Sequence, residues 1–342
     1  MSLGYDARAS AMYRLLEIVL PQDSGESLRS LLEDAEVIAN WQQTIPGDRL
    51  MVHLVVETPR AEPLLDALEQ RFTHLEDFRV LLLRVHATIP RPPEPEEDPS
   101  KPVEEPAKPP PERVAREELY NDLLSGTKVT RVFVATVILS AIVAAVGLLR
   151  NNVAIIIGAM VIAPLLTPNM AMALATTLGD LALLRKALRT QVTGVSIALA
   201  FAVLVGLFTT LDEFNAEILA RTDAEFGDVV LALASGSAGA LAFTAGVSAS
   251  LVGVMVAVAL LPPLVVAGLF LGTGNYGLAA GAFLLLATNV ICVNLAAVVT
   301  FLWRGIRPRT WWEADKARKS TRTAMGLWLA ALAVLIALML LT

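Results

Sequence analysis

The chain has 342 residues, of which 55% are hydrophobic, and its mean hydropathy is +0.60. Residues 1–112 carry 11 Lys and Arg against 21 Asp and Glu, whereas residues 113–342 carry 16 against 12. This acidic balance and a single cysteine, Cys292, argue against nucleic-acid binding, a disulfide framework and a cysteine-rich metal site. We expect a water-soluble front followed by an apolar membrane part.

Residues 1–89 are predicted to form a small ferredoxin-like α+β domain. The strand patterns cover Tyr13 to Leu20, Val37 to Thr44, Leu50 to Glu57 and Phe78 to Ala87, and the helix patterns cover Ser24 to Asp34 and Glu62 to Arg71. All three histidines lie here, but His53 and His86 fall on strands that are not neighbours in this fold, so a metal site is disfavoured. No leader-like segment opens the chain, so we expect the domain in the cytoplasm.

A proline-rich segment separates this domain from the membrane part. Ten of the 22 residues from Pro90 to Pro111 are proline, which predicts an extended linker over residues 90–111. Residues 112–128 are then predicted to form an amphipathic juxtamembrane helix, because Glu117, Glu118 and Asp122 interrupt an otherwise apolar pattern.

The transmembrane domain, residues 129–342, is predicted to hold seven helices of about 20 apolar residues. They lie near 132–149, 153–178, 190–211, 229–246, 248–271, 278–302 and 324–341. With seven spans, the basic clusters before the first span, after the second and after the sixth share one side of the membrane. A six-span count, in which the fourth and fifth spans are merged, would place the third basic cluster on the opposite side. We expect a prokaryotic inner-membrane protein with its N-terminus in the cytoplasm and its C-terminus outside.

An internal repeat is the most informative pattern. Shifting residues 153–183 by 95 aligns them without a gap on residues 248–278, with ten identities in 31 positions. Repeat one covers about 130–211 and repeat two about 228–303, with an extra span at about 324–341. Since each repeat holds three spans, the second repeat is inverted relative to the first.

Prolines interrupt equivalent helices of the two repeats. Pro164 and Pro168 break the second span, and Pro262 and Pro263 break the fifth. We expect the second half-helices to start near Asn169 and Leu264, with both breaks close together near the bilayer midplane. The candidate pathway residues are Thr167, Pro168, Asn169, Pro262, Pro263, Asn289 and Asn294. The alternatives are plain kinks filled by packing and asparagines that only hold helices together.

Three segments resemble a known family: IGAMVIAPLLTP from Ile157, VGVMVAVALLPPLVVAG from Val252 and TNVICVNL from Thr288. They look like the bacterial and archaeal "uncharacterised hydrophobic domain" membrane proteins, domain of unknown function number 389, over roughly residues 112–305. The front domain, with LLEIVLP from Leu15, resembles the version with an N-terminal cytoplasmic domain. The resemblance implies no catalytic or binding residues.

The function expected from these patterns is a transporter or channel for a small solute or ion, regulated by the front domain. An anion is slightly favoured over a cation, because half-helices that start inside the membrane present N–H groups. The alternative is a non-transporting membrane sensor or assembly scaffold. An enzyme is disfavoured because the spans hold no nucleophile–base pair or metal cluster, and we expect no cofactor. The expected partners are the lipid bilayer and the solute or ion; a homo-oligomer stays open.

Overall fold

A four-stranded antiparallel sheet with two helices forms the front of the chain. The computed structural model describes residues 13–33, 35, 37–85, 113–209, 215–247, 260–307, 326 and 329–337. The elements follow in the order β1 (Tyr13–Pro21), α1 (Gly25–Leu32), β2 (Ala39–Ile45), β3 (Arg49–Glu57), α2 (Thr58–Phe72) and β4 (Arg79–Val85). The sheet order is β2-β3-β1-β4. The predicted small sheet and its element order are therefore observed.

Buried and half-buried residues alternate along the central strand β1, and the buried ones form the core of this sheet. In β1, every second residue is buried, including Leu16, Ile18 and Leu20. These side chains pack in one cluster with β3 residues such as Leu54 and with α2 residues such as Leu68. The period-2 pattern of the strands therefore places one face of the sheet against the helices.

His53 lies on β3, on the face opposite to this core. It is buried, stacks on Trp41 with ring centroids 5.0 Å apart, and places Nδ1 3.4 Å from Glu17 Oε1. His74 is exposed, and His86 lies outside the described residues. Among the residues that the structure describes, no three His, Cys, Asp or Glu side chains form a group that could hold a metal ion.

The chain divides into two compact units, Met1–Glu118 and Leu119–Thr342. The first unit extends past the boundary expected at residue 89. Within it, Arg113 Nη1 and Nη2 donate to Glu62 at 2.6 and 2.9 Å, and Arg14 pairs with Glu118. Both arginines are almost fully buried, so these carboxylates are needed to compensate their charge.

The second unit is built from helices. They are α3 (Arg116–Ser125), which starts in the first unit, α4 (Arg131–Leu149), α5 (Val153–Ile162), α6 (Leu166–Leu178), α7 (Leu181–Leu207), α8 (Ala216–Leu219), α9 (Phe226–Thr244), α10 (Leu261–Thr273) and α11 (Tyr276–Trp303). Among the described residues, four of these helices are long and apolar enough to cross a membrane, or five if α5 and α6 count as one broken span. The chain is therefore a multi-pass membrane protein.

The expected count of seven spans is not confirmed. Of the predicted fifth span, residues 248–259 lie outside the described part, and the remainder is the 13-residue helix α10. The predicted seventh span is described only at residue 326 and residues 329–337, which are helical. In addition, α7 begins at Leu181 rather than near residue 190, because the Asp180 carboxylate caps it by accepting from the N–H groups of Ala182 and Leu183.

The helix boundaries repeat at the same 95-residue shift as the sequence. The 19-residue helix α4 corresponds to α9, and the 13-residue helix α6 corresponds to α10, with no change in either end. Both α6 and α10 end at a left-handed glycine, Gly179 with φ 70° and Gly274 with φ 83°. The repeat therefore extends to local backbone geometry.

The two short helices α6 and α10 lie in the interior of this unit. Nearly every residue of each is buried. Helix α6 packs against α7 and α11, and α10 packs against the same two helices. Glycines bring α7 and α10 close, since a Cβ at Gly206 would collide with the backbone oxygen of Leu269. A helix buried on all sides must be apolar all round, so the few polar residues that it carries need a specific explanation.

Candidate functional site

The helix break at Pro164 defines the candidate site. Helix α5 ends at Ile162, Ala163 is extended with ψ 121°, and α6 starts at Leu166 with its axis bent by 54° from α5. Pro164 has no N–H, so it cannot continue the hydrogen-bond ladder of α5. Pro168 does not break the helix, contrary to expectation. It lies in the first turn of α6, where a proline is tolerated because that turn needs no intrahelical donor.

The start of α6 lacks a side-chain cap. Five other helices of this unit, α4, α5, α7, α8 and α9, have one. Their capping side chains belong to Thr130, Asn152, Asp180, Asn215 and Glu225, the last of which forms a capping box. At α6 the capping position is Leu165, which is buried and has no such group. The first N–H groups of α6 therefore begin inside the protein without the side-chain oxygen that these five helices have.

Two asparagines meet in the first turns of α6. Asn169 and Asn294 are both completely buried, and Asn294 Nδ2 donates to Asn169 Oδ1. Asn294 Nδ2 also donates to the carbonyl of Val290 at 2.9 Å, one turn earlier on α11. Two residues that are 125 positions apart in sequence therefore join α6 of the first repeat to α11 of the second.

The asparagine pair leaves one donor and one acceptor unused. Asn169 Nδ2 and Asn294 Oδ1 are buried and have no hydrogen-bond partner among the residues that the structure describes. A buried polar atom without a partner costs about 1–3 kcal/mol, which is why most such atoms in folded proteins are paired. Both atoms belong to fully buried amides at the uncapped start of α6. A ligand or a water molecule could satisfy them there.

The equivalent half-helix α10 differs in its chemistry. Like α6, which starts at Leu166 rather than near Asn169, α10 starts three residues earlier than expected, at Leu261. It also lacks a side-chain cap. However, Pro262 and Pro263 occupy its first turn, and neither has an N–H. Two of the donors that a helix start normally exposes are therefore missing. The prolines let α10 begin in the interior with fewer unpaired N–H groups than α6.

Two further candidate pathway residues, Thr167 and Asn289, lie on α6 and α11, and Thr288 is the neighbour of Asn289. Thr167 is half-buried at the start of α6, and its methyl packs against Gly126 so closely that a side chain at position 126 would collide with it. Asn289 is buried on α11 and has a partner of its own. Thr288 is buried on α11 and donates to the carbonyl of Leu284, so its hydroxyl is locally satisfied.

Gln191 is a polar residue near the break that the sequence patterns did not select. It is buried on α7, and its Oε1 has no partner among the described residues. Three positions further along α7, Gly194 lies beside the side chain of the break residue Leu165, where an added Cβ would come within 2.8 Å of Leu165 Cδ2. Residues three apart share a helix face, so Gln191 is on the side of α7 that meets the break.

Comparison with known proteins identifies the family of the membrane part. The family model described as "Domain of unknown function (DUF389)" matches residues 160–295, which include Asn169 and Asn294. The chain is also 33% identical over 316 residues to "Uncharacterized protein MJ0678" of Methanocaldococcus jannaschii, which covers 92% of this chain and 95% of that relative. The chain belongs to the DUF389 family.

This DUF389 protein matches no solved structure. The relative in Methanocaldococcus jannaschii aligns along almost its whole length, so the similarity covers the front sheet as well as the membrane helices.

Replacing the asparagines tests whether they form an energetic pair. Asn294→Leu alone leaves the Asn169 amide buried without its partner, and should lower the unfolding free energy by about 1–3 kcal/mol. Asn169→Leu with Asn294→Leu removes both amides, so the double variant should lose less than the two single losses added together. Urea unfolding of all four proteins in detergent micelles measures this coupling, expected at about 0.5–3 kcal/mol.

Thr300→Val is the matched control. Its hydroxyl lies on the same helix, α11, and is satisfied by the carbonyl of Ala296 at 2.8 Å. This change should behave additively with Asn169→Leu. Strict additivity between Asn169→Leu and Asn294→Leu would contradict a direct interaction between the two amides.

Proposed function

We propose that this DUF389 protein is a membrane transporter or channel for a small solute or ion, with its site at the break before α6. The observation that supports it most is the buried Asn169–Asn294 pair. Its unused donor lies on Asn169, in the first turns of the uncapped helix α6, and its unused acceptor lies on Asn294 of α11. Such half-helix starts inside a membrane protein hold the substrate in many secondary transporters. A purely structural pair would be expected to satisfy both amides.

The balance of donors and acceptors favours an anion slightly over a cation. The start of α6 contributes a positive dipole end, and Asn169 adds a free amide N–H. The acceptor is Asn294 Oδ1, so a ligand with one proton to donate, such as a protonated oxyanion or a small neutral amide, would satisfy both side chains. Pro262 and Pro263 lie at the start of α10, which repeats the geometry with fewer donors.

We further propose that the two repeats are inverted in the membrane, within a seven-span arrangement. The 95-residue shift in helix boundaries supports the duplication, and three spans per repeat would turn the second repeat over. The distribution of basic residues in the sequence supports a cytoplasmic N-terminus and a C-terminus outside, in the inner membrane of a prokaryote. The front sheet unit would then lie in the cytoplasm and regulate the pathway.

Flux through reconstituted vesicles tests the proposed activity. The purified full-length protein would be placed in liposomes and tested with chloride, nitrate and formate as anions, K⁺ as a cation, and urea and glycerol as neutral solutes. We expect movement of at least one anion or neutral solute above that of protein-free liposomes. In the double variant Asn169→Leu with Asn294→Leu, the flux should fall about tenfold or more, which corresponds to a loss of roughly 1.4 kcal/mol at the site.

Thr300→Val should keep the wild-type flux, because its hydroxyl lies on α11 but is satisfied within that helix. A chain without residues 1–112 should change the rate but not the solute preference, if the front unit is regulatory. Wild-type flux in the double variant would place the pathway elsewhere. An absence of flux for every solute would favour the sensor or scaffold function.

Reporter fusions test the orientation. A reporter after Thr342 should be active outside the cytoplasm, and one inserted at Lys316 should be active inside, because a single span would separate the two positions. If both reporters are active on the same side, the seven-span arrangement is wrong.

A further inference from the structure

Three contacts align the segment from Tyr120 to Phe133 with the start of α7. The Tyr120 hydroxyl donates to Asp180 Oδ2 at 2.8 Å, and the Thr190 hydroxyl donates to the carbonyl of Thr127. Further along, the ring of Phe133 lies beside Gly194, where an added Cβ would come within 3.1 Å of it. The two segments therefore run side by side over about four turns of α7.

The Tyr120 contact holds this alignment at ordinary pH. Burial, together with the hydrogen bond to Asp180, raises the pKa of Tyr120 to about 12. The phenol therefore remains a neutral donor. Asp180 also accepts from the first N–H groups of α7, so its carboxylate is fully engaged in fixing the two segments.

The alignment collects five basic side chains on the surface of the membrane unit. Lys128 and Arg131 come from the first segment, and the others come from α7, so that the set is Lys128, Arg131, Arg185, Lys186 and Arg189. All five are exposed, and none has an ion-pair partner among the residues that the structure describes. We call these five residues the basic patch. The Asp180 carboxylate keeps its negative charge while it accepts hydrogen bonds from Tyr120 and the start of α7, so the five positive charges of the basic patch outnumber it.

Apolar surface adjoins the basic patch. Val132 is 71% exposed and follows Arg131 directly, and Leu188 is 50% exposed beside Arg189. Val192, one turn beyond Leu188, is 54% exposed. Unpaired positive charge next to exposed aliphatic side chains matches the two parts of a phospholipid, a phosphate headgroup and its acyl chains.

We propose that the basic patch binds the headgroup of an anionic phospholipid, with its acyl chains on the adjoining apolar surface. Several cations from two segments act on one phosphate group, so the site has a defined shape as well as a charge. The apolar surface selects a lipid over free phosphate. This inference does not depend on the proposed transport activity.

Lipid retention by the purified full-length protein tests the proposal. The protein would be extracted from vesicles that contain equal amounts of phosphatidylcholine and phosphatidylglycerol, and native mass spectrometry would count the lipids that stay bound. Wild type should retain phosphatidylglycerol in preference to phosphatidylcholine. The double variant Lys128→Gln with Arg189→Gln should weaken phosphatidylglycerol binding about 30-fold, from two lost charges near a membrane surface.

Arg150→Gln is the control, because Arg150 is also exposed but lies at the opposite end of α4 from Arg131. It should retain phosphatidylglycerol as the wild type does. An equal loss in Arg150→Gln, or no loss in the double variant, would overturn the site. Inorganic phosphate at millimolar concentration should not displace the lipid; if it does, the patch is a site for free phosphate and the lipid proposal is wrong.

Discussion

A helix that starts inside a membrane protein must satisfy its first backbone N–H groups without bulk water, and this constraint explains the centre of the structure. Helices α6 and α10 both start in the interior, and neither has a side-chain cap at its start. In α10 two prolines remove donors. In α6 a single proline, Pro168, removes one, and the Asn169–Asn294 pair lies just beyond it. The two repeats therefore meet the same constraint with different chemistry, and that difference is the reason why we propose the site at α6.

The rest of the membrane unit keeps these two helix starts in place. Helices α7 and α11 each pack against both α6 and α10, so each repeat supports the interrupted helix of the other. Small residues allow this close approach. At Gly268 an added Cβ would collide with Ala202, and at Gly236 it would collide with the backbone of Val293. Close packing of this kind replaces the hydrophobic effect as a source of helix association in lipid.

Local patterns in the sequence predicted the front sheet well. The alternation of apolar residues in β1 and β3 requires one buried face, and the turn residues between strands separate the elements, so their order could be read directly. The proline break and the 95-residue repeat were also visible in the sequence. The first shows as a proline inside an apolar segment, and the second shows as identical residues at a constant shift. The extension of the first unit to Glu118 was not visible in the sequence, since it depends on ion pairs of Arg14 and Arg113 with carboxylates that are far away along the chain.

The most specific part of the candidate site, the Asn169–Asn294 hydrogen bond, could not be predicted either, because it joins residues that are far apart in sequence. Asn169 and Asn294 were both candidates, but no local pattern shows that they bond to each other or which atoms stay unpaired. Gln191 lay at the start of the predicted third span, 190–211, but no local pattern shows that its Oε1 would be buried without a partner among the described residues. The seven-span count relied on apolar length and on the distribution of basic residues, and the described helices provide four or five spans.

Cysteine accessibility at the break tests the central claim most directly. In a Cys292→Ser background, Thr167→Cys would place a thiol at the half-buried start of α6, and Ala173→Cys would place one two turns further along the same helix, where the residue is completely buried. If the break is a hydrated site, a water-soluble thiol reagent should label position 167 in intact vesicles and leave position 173 unlabelled. Protection of both positions, in a protein that melts like the wild type, would show a dry, packed kink and contradict a solute pathway through α6.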